Sequence, residues 1–177
     1  MGCNMSADRL SKIHNQTVIH TTYNKLVLTD DQKQLIRYSW EFFEPKKTAI
    51  GRKMFVNLFQ VYPEMQNLFP EFRGQGNVDK LETTQFLNGH AKRLMTAVEN
   101  SVNALGDFES CSTYLQELGR RHKIRKLKPH YLERMGAAMM LAFKELYPDL
   151  WTEETDEAWN KLYKYISDMM VEGLNSP

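Results

Sequence analysis

Apolar residues recur at the spacing of an α-helix through most of the chain from residue 28 onward. The spacing predicts six helices, at about residues 29–45, 46–61, 81–102, 110–122 and 129–148, and from 152 onward. No stretch alternates between apolar and polar residues as a half-buried strand would, and no internal repeat interrupts the pattern. The sequence therefore predicts an all-α fold.

Capping residues set the predicted starts of these helices. Thr29 and Gln32 form a capping box before the first helix, because the two side chains can each accept a bond from the other's backbone N–H. Ser110 or Ser112 is expected to cap the fourth helix. Pro129 suits the first turn of the fifth helix, where its missing N–H costs nothing.

Two of the predicted helices carry a histidine on their apolar stripe. Leu115, Leu118 and His122 lie at positions i, i+3 and i+7, so the imidazole points the same way as the leucines. His90 shares one helical face with Phe86, Leu94, Ala97 and Val98. Two helices thus each aim one imidazole inward, and the pair could hold a ligand between them.

A single histidine on an apolar stripe is more often a core residue bonded to backbone than a metal ligand. Two buried imidazoles leave two ring nitrogens that need partners, and a metal would satisfy both. Zinc is the weaker candidate, since the chain has no HExxH pair and no clustered third and fourth ligand. An iron porphyrin needs only one or two protein ligands and an apolar slot.

Length and charge narrow the class of protein. The chain has 177 residues, enough for one domain with a sizeable core, and a net charge of +1, which gives no general attraction to nucleic acid. Its two cysteines, Cys3 and Cys111, are too few for a disulfide framework and favour a reducing compartment. No apolar run is long enough to cross a membrane.

The chain begins with Met1, Gly2 and Cys3 and has Ser6 at the position required by the myristoylation pattern. Gly2 is the predicted myristoylation site and Cys3 the predicted palmitoylation site, and two acyl chains hold a membrane stably where one does not. Residues 1–27 are polar and without periodicity, so they are predicted to be a flexible extension of a domain at 28–174. We expect an intracellular protein on the cytoplasmic face of the plasma membrane, and otherwise a cytoplasmic one.

Several stretches together resemble the animal globins, most closely the neuroglobin and globin X branch with its N-terminal acylation motif. The stretches that carry the resemblance are Trp40, Phe55, Asn67-Leu68-Phe69, Phe86-Leu87-Asn88-Gly89-His90, Leu118-Gly119-Arg120-Arg121-His122 and Trp159-Asn160-Lys161-Leu162-Tyr163. Their order and spacing are specific to that family. The resemblance implies a three-on-three helical sandwich and haem b, iron protoporphyrin IX, as cofactor.

Roles follow from the resemblance position by position. His122 matches the proximal ligand of the haem iron, and His90 matches the distal histidine. Phe69 matches the phenylalanine that packs on the porphyrin, and Arg93 a residue that pairs with a propionate. The other expected pocket residues are Phe55, Leu94, Leu118, Leu127, Tyr131 and Tyr163. The second ring nitrogen of His122 is expected to donate to the Leu118 carbonyl one turn earlier.

The implied function is reversible binding of oxygen, and of nitric oxide and carbon monoxide, by a haem that both histidines hold at rest. Gly74 and Gly76, in the loop before the third helix, would let His90 swing away. Attachment to a membrane favours redox work or signalling there, with a reductase or other electron partner still to be identified.

Three alternatives remain open at this point. One is an oxygen storage or transport globin with an open sixth site, another is a haem electron-transfer protein, and a third is a haem-free globin fold that serves as an interaction module. The sequence shows no set of nucleophile, base and orienting group, so any catalysis would be haem chemistry such as nitrite reduction.

Overall fold

The computed structural model describes residues 28–73, 81 and 84–176. Six α-helices lie in these ranges: α1 Asp30–Phe43, α2 Lys47–Val61, α3 Gln85–Asn103, α4 Phe108–Lys123, α5 Pro129–Leu146 and α6 Glu153–Asn175. Short 3-10 helices at Glu44–Lys46, Pro63–Leu68, Pro70–Phe72 and Pro148–Leu150 connect or extend them. The predicted extension at 1–27, with Gly2 and Cys3, and the loop glycines 74 and 76 lie outside the described residues.

Most of the predicted helix starts are present. Thr29 and Gln32 form the expected capping box, with both side-chain to backbone bonds at 3.2 Å. Pro129 lies in the first turn of α5. Helix α3 begins at Gln85, later than predicted, because the Thr84 side chain accepts a bond from the Leu87 N–H and so caps the helix there.

The predicted cap of α4 was wrong. Neither Ser110 nor Ser112 is the N-cap; Asp107 is, and its carboxylate accepts from the Ser110 N–H at 3.4 Å. The two serine hydroxyls instead donate to the carbonyls of Asp107 and Glu109, so both residues lie within the helix. Asp107 lies three residues before Ser110, and its carboxylate accepts a bond from a free N–H group at the helix start. The helix therefore begins earlier in the chain than a serine cap would place it.

Two groups of buried side chains form the core. One surrounds Trp159, whose indole N–H donates to the Ser39 hydroxyl at 2.9 Å, and whose ring packs on Phe43 and Phe143. The other is an aromatic group at the start of α3 that includes Phe55, Phe59, Phe69 and Phe72. Both groups supply walls of one cavity, so the cavity lies where they meet.

Helix α4 lies very close to α6. A side chain added at Gly119 would place its Cβ 2.1 Å from the Met170 carbonyl oxygen, and one at Gly173 would come within 1.9 Å of the Gln116 carbonyl oxygen. Only glycine fits this approach, because the neighbour at each position is backbone that cannot move aside. The crossing fixes α4, and with it the position of His122.

Among the described residues, no helix has both the length and the apolar character that a membrane span requires.

Candidate functional site

The cavity between α3, α4, α5 and α6 brings together all ten of the pocket residues predicted from the sequence. They are Phe55, Phe69, His90, Arg93, Leu94, Leu118, His122, Leu127, Tyr131 and Tyr163. These residues come from the length of the chain, and only folding brings them to a common wall. Apart from the histidines, two arginines and two tyrosine hydroxyls, the lining is hydrocarbon, aromatic or thioether.

His122 lies at the last turn of α4 and is half-buried. Its Nδ1 is 2.7 Å from the Leu118 carbonyl oxygen, which is the hydrogen bond expected from the sequence. A carbonyl can only accept, so Nδ1 carries the proton and donates it. The lone pair of the neutral ring is then on Nε2, the atom available to bind a metal.

His90 lies in the first half of α3, in contact with two phenylalanine rings. The centroids of Phe55 and Phe69 are each 5.2 Å from the imidazole, and both meet it edge to face. Burial lowers the pKa of His90 to about 4, and the nearby charges of Arg93 and Arg125 add to that effect. The ring is therefore neutral near pH 7 and keeps a free lone pair.

Helix α3 has two buried faces, and the sequence pattern identified one of them. His90, Leu94, Ala97 and Val98 line the cavity as predicted. Phe86 was placed on that face, but it does not line the cavity; it is half-buried, with its ring 5.3 Å from Phe72. The second buried face includes Leu87, Ala91 and Met95, the last two packed on Gly51 of α2.

Other lining residues were missed in the sequence. They are Leu58, Met65, Leu68, Arg125, Leu132, Met135, Ile166 and Met170. Most lie on apolar helical stripes, and the spacing alone does not distinguish a core residue from a residue of a cavity wall. Arg125 lies in a run of basic residues just after His122, and such a run is more often a solvated helix end than part of a cavity wall.

Two tyrosines complete the wall beneath α4. Tyr163 is buried, and its hydroxyl donates to the Leu132 carbonyl at 2.7 Å. Burial strongly raises the pKa of Tyr163, so its phenol stays protonated and offers no charge to the cavity. Tyr131 contributes its ring at the start of α5.

This set of residues fits an iron porphyrin. The ring of the cofactor is apolar, and so are the walls of the cavity. Its carboxylates need cations, and Arg93 and Arg125 line the cavity. Its iron needs one or two imidazoles, which His122 and His90 can supply. Among the described residues no three His, Cys, Asp or Glu side chains are grouped to hold a bare metal ion. His122 and His90 are thus suited to a metal that brings most of its own ligands.

Comparison with known proteins identifies the class. The Globin family model matches residues 52–170, and the chain belongs to that family. It is 29% identical over 136 residues to cytoglobin-1 of Oryzias latipes, covering 76% of this chain and 77% of the relative. It is 29% identical over 147 residues to neuroglobin of Tetraodon nigroviridis, covering 82% of this chain and 92% of the relative.

The fold is also that of a known haem protein. The crystal structure of a hexacoordinated haem protein from an anhydrobiotic tardigrade, determined at pH 4, matches with a TM-score of 0.80 and 24% identity. The match covers 86% of this chain and 99% of the tardigrade chain. The predicted all-α globin fold is confirmed, and the protein is a haem-binding globin related to neuroglobin and cytoglobin.

Proposed function

We propose that His122 and His90 would both bind the haem iron in the resting protein. The observation that carries this proposal is that both imidazoles line one apolar cavity from different helices. The His90 ring is neutral near pH 7, and the His122 ring is held in the tautomer that leaves Nε2 free to bind a metal. The Leu118 carbonyl orients His122, and the rings of Phe55 and Phe69 hold His90 in place.

When bound, the haem supplies an iron that takes up small gases and exchanges one electron. The residues of the chain would bind and orient it. Arg93 and Arg125 would neutralise the propionate carboxylates at the edge of the cavity, while Phe69, Leu127 and the ring of Tyr163 would pack on the porphyrin and keep water out.

A gas would have to compete with His90 for the sixth position. We propose oxygen as the principal ligand, with nitric oxide and carbon monoxide binding at the same place. The apparent affinity is then the intrinsic affinity multiplied by the fraction of time that His90 is displaced. Arg93 lies one turn from His90, with its guanidinium 3.5 Å from Nδ1, and can donate to the displaced imidazole.

We further propose a redox or signalling role at the cytoplasmic face of the plasma membrane. The support is the Met1-Gly2-Cys3 start, which offers one site for myristate and one for palmitate. A protein held at a surface reaches only modest amounts, which disfavours bulk oxygen storage. Two axial histidines also suit electron transfer, because the coordination need not change on reduction, and a reductase would then be the partner.

The test is the absorption spectrum of the haem protein, ferric and then ferrous without oxygen. Sharp, split visible bands in the ferrous form are expected, because two imidazoles give a low-spin iron. His90→Leu should replace them with one broad band, and His122→Ala should prevent stable haem retention. His130→Leu, at an exposed histidine that does not line the cavity, should leave the spectrum unchanged.

Either of two results would contradict the assignment. Normal haem retention in the His122→Ala protein would exclude His122 as the proximal ligand. A single broad band in the unsubstituted protein would exclude His90 as a ligand at rest and favour an oxygen storage or transport globin.

A further inference from the structure

The last turn of α4 and the segment that joins it to α5 form a strongly basic surface. We call residues 120–128 the basic turn; its six cations are Arg120, Arg121, Lys123, Arg125, Lys126 and Lys128, and it contains no acidic residue. Three backbone bonds close it: Arg125 and Leu127 donate to the His122 carbonyl at 3.0 and 3.3 Å, and Lys126 donates to that of Lys123 at 2.9 Å.

An isoleucine projects from this turn into solvent. Ile124 is 86% exposed, whereas the other exposed large apolar side chains among the described residues reach at most 57%, at Val61. Every cation of the turn is exposed as well. The turn therefore presents one branched apolar side chain to solvent among exposed cations that are its neighbours in the chain.

Some of these cations have partners within the chain. Glu117 pairs with Arg120 at 2.8 Å and with Arg121 at 3.0 Å, and Lys123 donates to the Ser176 carbonyl at 2.6 Å. Arg125, Lys126 and Lys128 have no carboxylate within salt-bridge distance among the described residues. These three cations thus closely follow Ile124 in the chain.

The dipole of α4 accounts for only some of these residues. Cations in the last turn of a helix interact favourably with its free carbonyls, which explains Arg120, Arg121 and Lys123. Lys126 and Lys128 lie beyond the helix, where the dipole has little effect. The helix dipole gives no reason for Ile124 to be exposed, and contact of its apolar side chain with water is unfavourable.

We propose that the basic turn docks on an anionic lipid surface, with Ile124 entering the headgroup layer and Lys126 and Lys128 meeting lipid phosphates and carboxylates. An apolar side chain amid cations combines the two interactions that drive interfacial binding. A lipid surface is favoured over an acidic protein because Ile124, 86% exposed, would need a matching pocket on a protein, whereas lipid accepts it anywhere. Arg125, already in the cavity wall, would lie next to the membrane.

This inference builds on the proposed membrane attachment but adds a surface that acts without an acyl chain. The experiment uses full-length, haem-loaded protein made in bacteria that lack the enzymes for N-myristoylation of glycine and palmitoylation of cysteine. Gly2 and Cys3 therefore stay unmodified. Binding is measured by co-sedimentation with phosphatidylcholine vesicles and with vesicles that also contain phosphatidylserine. We expect binding to the anionic vesicles only, weakened by salt.

Two variants test the turn directly. The double variant Lys126→Gln and Lys128→Gln should weaken binding about tenfold, since each cation near an anionic surface contributes. Ile124→Ser should weaken it about threefold or more by removing the apolar contact. Two matched controls should bind as the unsubstituted protein does: Lys33→Gln with Lys164→Gln, which removes the same charge elsewhere, and Val61→Ser.

The proposal is overturned by several outcomes. These are equal binding to neutral and anionic vesicles, no binding to either, an unchanged affinity in the Ile124→Ser or the double lysine variant, and an equal loss in the controls. Salt-sensitive binding to polyglutamate without binding to the anionic vesicles would also overturn it, and would assign the turn to an acidic protein. None of these results bears on acylation of Gly2, which the vesicle experiment does not involve.

Discussion

At the scale of single residues, the cavity combines apolar walls with two cations at its edge. Arg93 comes from α3, and Arg125 comes from the turn after α4, so the two reach the cavity from separate elements. The number of these cations equals the number of carboxylates on haem b, which is two. Each exposed pair of this kind contributes only a little free energy, roughly 0.2–1 kcal/mol, but together they would also fix the orientation of the ring.

Replacement of Arg125 should loosen the haem without unfolding the protein. Arg125→Ala is expected to raise the rate of haem loss by about two- to fivefold, the equivalent of one exposed ion pair. The rate is measured by transfer to an excess of a haem-free globin scavenger. Arg37→Ala, at an exposed arginine of α1 that does not line the cavity, is the control and should leave the rate unchanged.

A rate for Arg125→Ala equal to that of the unsubstituted protein would show that Arg125 does not hold a propionate. An equal increase in the Arg37→Ala protein would attribute the effect to the loss of overall positive charge. Because both rates are measured in solution without lipid, the result is independent of the basic turn's proposed contact with a membrane.

The same residues show why the site could be predicted only in part. The bond from His122 to the Leu118 carbonyl joins neighbouring turns of one helix, so helical geometry alone predicts it. Arg125 reaches the cavity because of the path of the turn, in which Lys126 adopts a left-handed conformation with φ 58°. That conformation favours glycine, and a lysine there gives no sign in the sequence that the chain turns back.

At the scale of elements, the position of His122 depends on how α4 packs against α6. Gly119 lies one turn before His122 and faces the Met170 carbonyl, while Gly173 faces the Gln116 carbonyl from the other side. The two helices therefore touch through their backbones on either side of one crossing. A shift of α4 at this point would move the imidazole relative to the cavity.

A methyl group at this crossing should destabilise the protein. Gly119→Ala is expected to lower the free energy of unfolding by about 1–3 kcal/mol, because the added Cβ would force two backbones apart. Urea unfolding of the haem protein, followed by circular dichroism, measures the effect. Gly106→Ala is the matched control, since a Cβ there meets no atom within 4 Å and should change stability little.

The visible spectrum of the Gly119→Ala protein gives a second measurement. A displaced α4 should also weaken the proposed bond of His122 to iron, so we expect a partial change of the ferrous bands or faster haem loss. Unchanged stability and an unchanged spectrum would together contradict a role for the crossing in placing His122.

The sequence predicts which segments are helical more fully than it predicts which face of each helix lines the cavity. The capping box at Thr29 and the proline at position 129 act within one turn, so local sequence is sufficient to place them. Helix α3 is buried on two faces, one against α2 and one on the cavity, and an apolar stripe identifies one face at a time. This is why the pattern places Phe86 on the face of His90 and does not identify Met95, which packs against Gly51.

At the scale of the whole molecule, two proposed contacts would hold the protein at one lipid surface. One is the acylated start of the chain, and the other is the basic turn, which borders the cavity through Arg125 and Leu127. Used together they would set the edge of the haem toward the membrane. An electron partner would then be expected among proteins bound to the same surface, because those can approach that edge without release of the globin.

Loss of the acyl acceptor should release most of the protein in cells, because the basic turn alone is a weaker attachment than the acyl chains and the turn together. A single myristoyl chain binds with an association constant of only about 10⁴ M⁻¹, and a second interaction is needed for stable attachment. In a eukaryotic cell, Gly2→Ala should therefore move most of the protein from the membrane to the cytosolic fraction. Cys3→Ser, which keeps the myristate and the basic turn, should give an intermediate distribution that salt shifts toward the cytosol. Asn4→Ala is the control, and this variant should stay in the membrane fraction. If the Gly2→Ala protein also stays in the membrane fraction, acylation at Gly2 is excluded as the anchor.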